Sequence, residues 1–194
     1  RELAKSALTS RQAELVKRIQ GCSTMLGTLV EDVLDFAAIE SGQISLGQEP
    51  LSPTRVLESV ATILEPDLSH AGMEITITAD STMAPWVVGD SPRIVQILVN
   101  FGSNAVKYAR RGQIILNVAQ DSHHIIFSVV DEGPGISHDD QAHLFTRFSR
   151  INPTVGVEGR GLGLAGCRAV AGLMGGTVGV ESDGTHGARF WVRL

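Results

Sequence analysis

The sequence predicts an α+β domain, a mixed sheet with helices on one face, preceded by a long helix. Three observations lead there: a heptad seam near the start, later strands and helices that do not simply alternate, and two consecutive strands joined by a short turn. With 194 residues the chain suffices for one domain plus an appendage and can bury a core without disulfides. Sixteen Lys and Arg against 21 Asp and Glu give a net charge of −5, and six Phe, two Trp and one Tyr offer no stacking platform, so nucleic-acid binding is not expected. No apolar run reaches the roughly 18 to 20 residues of a membrane span. Cys22 and Cys167 form neither a CxxC pair nor a zinc motif, which points to core positions in a reducing, cytoplasmic compartment. The start at Arg1, without Met or an apolar leader, leads us to expect a piece of a longer protein whose remainder is free to carry a membrane anchor.

Leu15, Ile19, Cys22, Leu26, Leu29, Val33 and Phe36 recur at alternating spacings of four and three with no Pro between them, which predicts a helix that seeks partner helices. Thr9 or Ser10 is its expected N-cap and Ser41-Gly42 its stop. Only Arg1 to Leu8 precede it, too few for a full antiparallel partner, so a partner is expected from outside this sequence or from another chain; packing on the chain's own domain is the alternative. Gln48-Glu49-Pro50 with Pro53 reads as a connector, giving a helical part at 1–46 and a second domain at 47–194. Beyond it the patterns predict a helix over 52–71, a period-two strand EITITA over 74–79, a short strand over 86–88 and a helix over 91–108 with Pro92 in its first turn. Strands over 113–119 and 124–130 turn at 120–123, a short helix covers 139–145, a helix covers 162–174, and strands over 177–181 and 188–194 complete the pattern. Residues 146–160 lack apolar periodicity and are long for a loop in a compact domain, hence a candidate lid.

Three groups of residues are candidates for chemistry. Asn100, Asn104 and Lys107 share one face of the 91–108 helix; two amide oxygens suit Mg2+, an ammonium suits the phosphates that usually accompany it, and a plain polar helix surface explains the triplet equally well. Asp131-Glu-Gly-Pro-Gly135 ends an apolar strand, placing a carboxylate at the core's edge beside glycines that admit a ligand to the backbone; an ordinary turn is the competing account. Gly159-Arg-Gly-Leu-Gly-Leu164 runs into a helix, an anion cradle made of exposed N–H groups and the helix dipole. Residues 161–166 also satisfy GxGxxG, yet the preceding RINPTVGVEGR is no apolar strand, so a dinucleotide fold is rejected.

Together NFGSNAVKY (100–108), DEGPGI (131–136), LFTRFSR (144–150) and GRGLGL (159–164) resemble, in order and separation, the N, G1, F and G2 boxes of sensor histidine kinases in the GHKL superfamily. THGARF (185–190) is similar to the last glycine box, and residues 29–46 resemble the end of the dimerisation helix and its link to the kinase domain. The resemblance implies a Bergerat-type α/β sandwich binding ATP and Mg2+ between helices and a lid, preceded by a long dimerisation helix.

Position by position, the resemblance implies Mg2+ at Asn104 with Asn100 in the same pocket, phosphate and nucleotide contacts from Lys107 and Tyr108, and an adenine amino group read by Asp131. Gly133, Gly135 and Ile136 would form the base pocket, Phe145 and Phe148 would anchor the lid, and Gly161, Leu162, Gly163 and Leu164 would lie along the phosphates. Arg150 matches the lid arginine that stabilises charge on a transferring phosphoryl group, so Asn100, Lys107 and Arg150 form the implied catalytic set. Arg160 stands where the family often has a small or hydroxyl residue and fits a phosphate contact or a solvated surface equally. ATP-hydrolysing branches resemble this pattern but carry Glu at the Asn100 position; asparagine cannot be a general base, which suits a kinase whose acceptor is a histidine imidazole.

Ser137-His138-Asp139 imitates the family's acceptor motif but directly follows the base loop and lacks a heptad seam, so it reads as a helix-cap segment. His70, His123, His124, His143 and His186 occupy turn, helix or solvent-facing positions without metal spacing. The resemblance therefore implies transfer of the ATP γ-phosphoryl group to a histidine outside this sequence, for relay to a response-regulator receiver domain. It also implies a homodimer through the 10–41 helix. A nucleotide-binding signalling scaffold acting through helix-bundle dimerisation is the alternative, and a hydrolytic ATPase is disfavoured by Asn100.

Overall fold

The computed structural model describes residues 9, 11, 12, 14–16, 18, 19, 23, 45–109, 111–121, 123–146 and 163–194. The chain divides into two compact units, Arg1–Gln43 and Ile44–Leu194. In the first, the described positions between 11 and 23 are helical, here α1. Thr9 caps it as the sequence predicts: the Gln12 N–H donates to Thr9 Oγ1 at 3.4 Å and the Thr9 N–H donates to Gln12 Oε1 at 2.9 Å, a reciprocal capping box. Leu15 and Ile19, the first two seam positions, are 52% and 66% exposed. The seam from Cys22 to Phe36 and the stop at Ser41-Gly42 lie outside the described residues.

The second unit contains β1 (Glu49–Leu51), α2 (Pro53–Ala71), β2 (Glu74–Ala79), β3 (Val87–Gly89), α3 (Ser91–Ala109), β4 (Gln113–Gln120) and β5 (Ile125–Asp131). It continues with α4 (His138–His143), α5 (Gly163–Leu173), β6 (Thr177–Glu181) and β7 (Ala188–Arg193). Five strands form one mixed sheet in the order β2-β4-β5-β7-β6, with β2 parallel to β4 and every other pair antiparallel. Alternation decides the layers. Ile114, Leu116, Val118, Phe127, Val129 and Val192 turn to the helices and are almost fully buried, while Ile115, Asn117, Ala119, Ile126 and Trp191 on the other face keep partial access to solvent.

One correction concerns the connector: Glu49–Leu51 is a strand, paired antiparallel with β3 from Glu49 opposite Gly89 to Leu51 opposite Val87. Three residues containing a Pro carry no readable period, and only the pairing with β3, whose range is shifted one residue from the predicted 86–88, reveals them. Helix α2 ends at Gly72, whose φ of 64° places it in the left-handed region, and the Met73 N–H donates back to Leu68 O at 3.0 Å. Helix α3 is capped by Asp90, whose Oδ1 accepts the Arg93 N–H at 3.0 Å. Where α2 and α3 cross, a Cβ on Gly102 would collide with Leu64 Cδ1, so glycine lets α3 settle close to its neighbour.

Candidate functional site

Helix α3 carries Asn100 and Asn104 one turn apart, both half-buried, with Asn104 Nδ2 donating to Asn100 Oδ1 at 3.3 Å. That bond fixes one amide against the other and leaves Asn104 Oδ1 without a donor among the described residues, a hard oxygen of the kind Mg2+ prefers. Gly163, the first residue of α5, abuts Asn100: a Cβ there would collide with Asn100 Nδ2. An 11-residue helix therefore brings its N-terminal, positive dipole end against the Asn100 amide. Leu164 follows, half-buried, while Lys107 and Tyr108 are exposed near the end of α3.

Asp131 is the last residue of β5, opposite Ala188 of β7, and is only 8% exposed. Burial pushes its carboxyl above the ordinary 3.8, and N–H bonds from Gly133 and Ala188 offset part of that shift. Its Oδ1 accepts the Gly133 N–H at 2.8 Å, and its remaining lone pairs can accept a donor from a ligand. The turn that follows has no room for a side chain at either glycine. A Cβ on Gly133 would stand 2.7 Å from Asp131 Oδ1 and 3.3 Å from Ala109 Cα. Gly135 has φ +79°, and a Cβ there would stand 2.6 Å from Thr185 N.

The structure thus gathers Asn100, Asn104 and Gly163 into one cluster and Asp131, Gly133, Gly135 and Ile136 into another. Contact between Gly133 and Ala109 puts the second at the C-terminal end of the helix bearing the first. Ala109 lies roughly 8 to 14 Å along that axis from the two amides. Phe145 packs edge-on against Phe190 at 6.5 Å between ring centres. Phe148, Arg150, Arg160, Gly161, Leu162 and the candidate lid from 147 to 160 lie outside the described residues.

Ser137 is a helix cap, as the sequence predicts, its hydroxyl accepting the Asp140 N–H at 3.2 Å. Two side chains that sequence reasoning missed, Gln141 and Ser182, bond to the base-loop backbone. Neither sits in a motif, and Ser182 meets the loop only through the fold, 46 positions from Ile136. An apolar cavity of about 300 Å³ lies at the far end of β5, lined among others by Leu51, Val88, Ile94, Ile125, Phe127 and Leu194. Asp90, the one acidic group in its lining among the described residues, is engaged by the Gly47 N–H at 2.8 Å and by the α3 cap.

Residues 89–194 match the histidine kinase-, DNA gyrase B- and HSP90-like ATPase family. The sensor histidine kinase GacS of Pseudomonas protegens is 33% identical over 199 residues, covering 99% of this chain and 22% of GacS. Hybrid signal transduction histidine kinase F of Dictyostelium discoideum is 34% identical over 186 residues, covering 92% of this chain and 17% of that protein. The chain therefore spans about a fifth of these relatives' length. Among solved structures, full-length ShkA in complex with AMPPNP superposes with a TM-score of 0.85 at 33% identity, covering 99% of this chain and 40% of ShkA.

Proposed function

Because the chain belongs to the family of histidine kinase-, DNA gyrase B- and HSP90-like ATPases, we propose that it is the ATP-binding catalytic region of a two-component sensor histidine kinase. The observation that carries this reading is the contact of the α5 N-terminus with Asn100, itself bonded to Asn104, on the helix whose last residue meets the Asp131 loop. Asparagine at position 100 separates it from a hydrolase. An amide has no basic lone pair with which to deprotonate water, whereas a neutral imidazole attacks phosphorus without such help.

The residues present fit a magnesium nucleotide. Asn104, with Asn100 beside it, would hold the metal through amide oxygen, and Gly163 and Leu164 would turn backbone N–H groups and a helix dipole to phosphate oxygens. Asp131 would accept the exocyclic amine of adenine while Gly133, Gly135 and Ile136 shape the space around the base. Lys107 and Tyr108 would contact phosphate and nucleotide. When bound, ATP supplies the γ-phosphoryl group and Mg2+ spreads its charge. Arg150, carried over by resemblance, would add a cation where charge develops in transfer, and Phe148, Arg160, Gly161 and Leu162 would line the same nucleotide.

The acceptor in this proposal is a histidine outside this sequence, presented by the dimerisation helices of a homodimer joined through residues 10–41. A response-regulator receiver domain then takes the phosphoryl group; the relatedness to hybrid kinases supports that partner. Residues 1–46 would be the remainder of the dimerisation hairpin and 47–194 the catalytic domain. Incubating the chain with γ-labelled ATP, Mg2+ and a fragment bearing the acceptor helix tests transfer. Acid-labile, base-stable label on the acceptor is expected, and none with folded, dimer-competent partners would overturn the proposal.

A further inference from the structure

We propose that Gln141 and Ser182 are positioning residues that set the site's choice of base, holding the Asp131–Ile136 loop by both polar groups of Ile136. Gln141 Nε2 donates to Ile136 O at 2.7 Å and to Ser182 O at 2.9 Å. The Ile136 N–H donates to Ser182 Oγ at 3.0 Å. Ser182 Oγ in turn donates to Gly187 O and accepts the Gly184 N–H at 3.3 Å, and the Gly187 N–H donates to Gly133 O at 2.7 Å.

The donors are spent on both side chains. A primary amide nitrogen has two protons and a hydroxyl has one proton and two lone pairs; here every one is directed at loop backbone or at the segment packed on it. Neither group retains a donor for a ligand, so the hydrogen bonds both side chains give go to holding the loop. The braced loop also has little latitude, since Gly135 holds φ +79° against Thr185 N and the Gly133 N–H fixes the Asp131 carboxylate.

This inference rests on the reading of Asp131 as the acceptor for an adenine amine. Adenine presents a donor to that carboxylate, whereas guanine presents a carbonyl oxygen, which like charge repels. Discrimination between them needs the carboxylate held at one depth and direction. The brace provides this by closing Ile136 to the β6–β7 connection on one side and to α4 on the other. Without it the loop can shift to relieve the guanine contact, and the penalty on GTP falls along with the gain on ATP.

The test uses the full chain with Mg2+ and compares ATP and GTP affinities in Gln141→Met, Ser182→Ala, Ser182→Thr and Asp131→Asn. Gln141→Met and Ser182→Ala are expected to lower ATP affinity by about 10-fold while changing GTP affinity by less than about 2-fold, the size of one or two hydrogen bonds. Ser182→Thr, which keeps the hydroxyl, is expected to restore the ratio. Amide exchange at Ile136 supplies a second readout, with protection in the parent chain and Ser182→Thr and its loss in Ser182→Ala. An unchanged ATP-to-GTP ratio in both brace variants, with Asp131→Asn weakened, overturns the brace alone, as does equal weakening for both nucleotides. Undiminished ATP affinity in Asp131→Asn contradicts the reading of the site and the brace with it.

Discussion

Gly163 lies so close to Asn100 that a Cβ on the glycine would collide with the Asn100 amide nitrogen. The first residue of α5 and the amide face of α3 are therefore in contact. Glycine at 163 permits that approach without displacing the Asn100 amide. Gly163→Ala must separate the two elements or rotate Asn100 away from Asn104. ATP affinity measured with Mg2+ is expected to fall about 10-fold or more, with the far-ultraviolet circular dichroism spectrum retained. Unaltered affinity would show that the contact does not shape the site.

Asp131 should respond in opposite senses as a folding group and as a binding group. Its folded carboxyl holds a proton more tightly than the unfolded one, so its contribution to stability is fully present below 3.8 and lost as pH rises through the raised folded value. Asp131→Asn should therefore keep or raise the neutral-pH melting temperature while lowering ATP affinity about 10- to 100-fold, because an amide donor then faces the adenine amine. In the parent chain, ATP affinity should decline as pH falls through a value above 3.8, and the decline should be absent in Asp131→Asn.

Gly135 and Gly175 share the left-handed region, with φ +79° and +74°, but differ in surroundings. A Cβ on Gly135 would meet Thr185 N at 2.6 Å and Gly184 C at 2.8 Å, whereas one on Gly175 meets nothing within 4 Å. Gly175→Ala is expected to cost about 1 kcal/mol, the conformational penalty alone, and Gly135→Ala about 2 to 4 kcal/mol in denaturant unfolding. Equal costs would mean that the loop yields freely.

Asp183 holds the turn that packs on Gly135. Backbone N–H bonds from Thr185 and His186, joined by the Thr185 hydroxyl, draw its carboxyl down to about 2. A depressed folded value stabilises above the unfolded 3.8, and that contribution is lost as pH falls through about 2. Carboxyl chemical shifts should follow that midpoint, and Asp183→Asn should shift acid unfolding to higher pH.

The periodic part of this architecture was legible in the sequence. EITITA was bounded to the residue because strict alternation meets a Gly turn at one end and Asp80 at the other, and Asn100 and Asn104 fell on one helical face by spacing alone. Ser137 was separated from a catalytic motif by its place after the base loop, and the structure makes it a cap. Strand β1 stayed hidden because three residues with a Pro hold no period. Gln141 and Ser182 stayed hidden for a different reason. The bonds that tie the Ile136 segment and Gln141 to the β6–β7 connection join residues 41 and 46 positions apart, and nothing in the local sequence distinguishes either side chain. Local chemistry announces the groups that face a ligand; the groups that hold them are fixed by topology.

The central claim is a single magnesium-nucleotide site in which α3, the α5 N-terminus and the Asp131 loop act together. Calorimetric titration of ATP into the full chain, with Mg2+ and with a chelator, for the parent and for Asn104→Ala, tests it most directly. The expected result is one-site binding that tightens with Mg2+ in the parent and loses that tightening in Asn104→Ala. Binding equally tight with and without the metal, or no heat from well-folded protein, would contradict it.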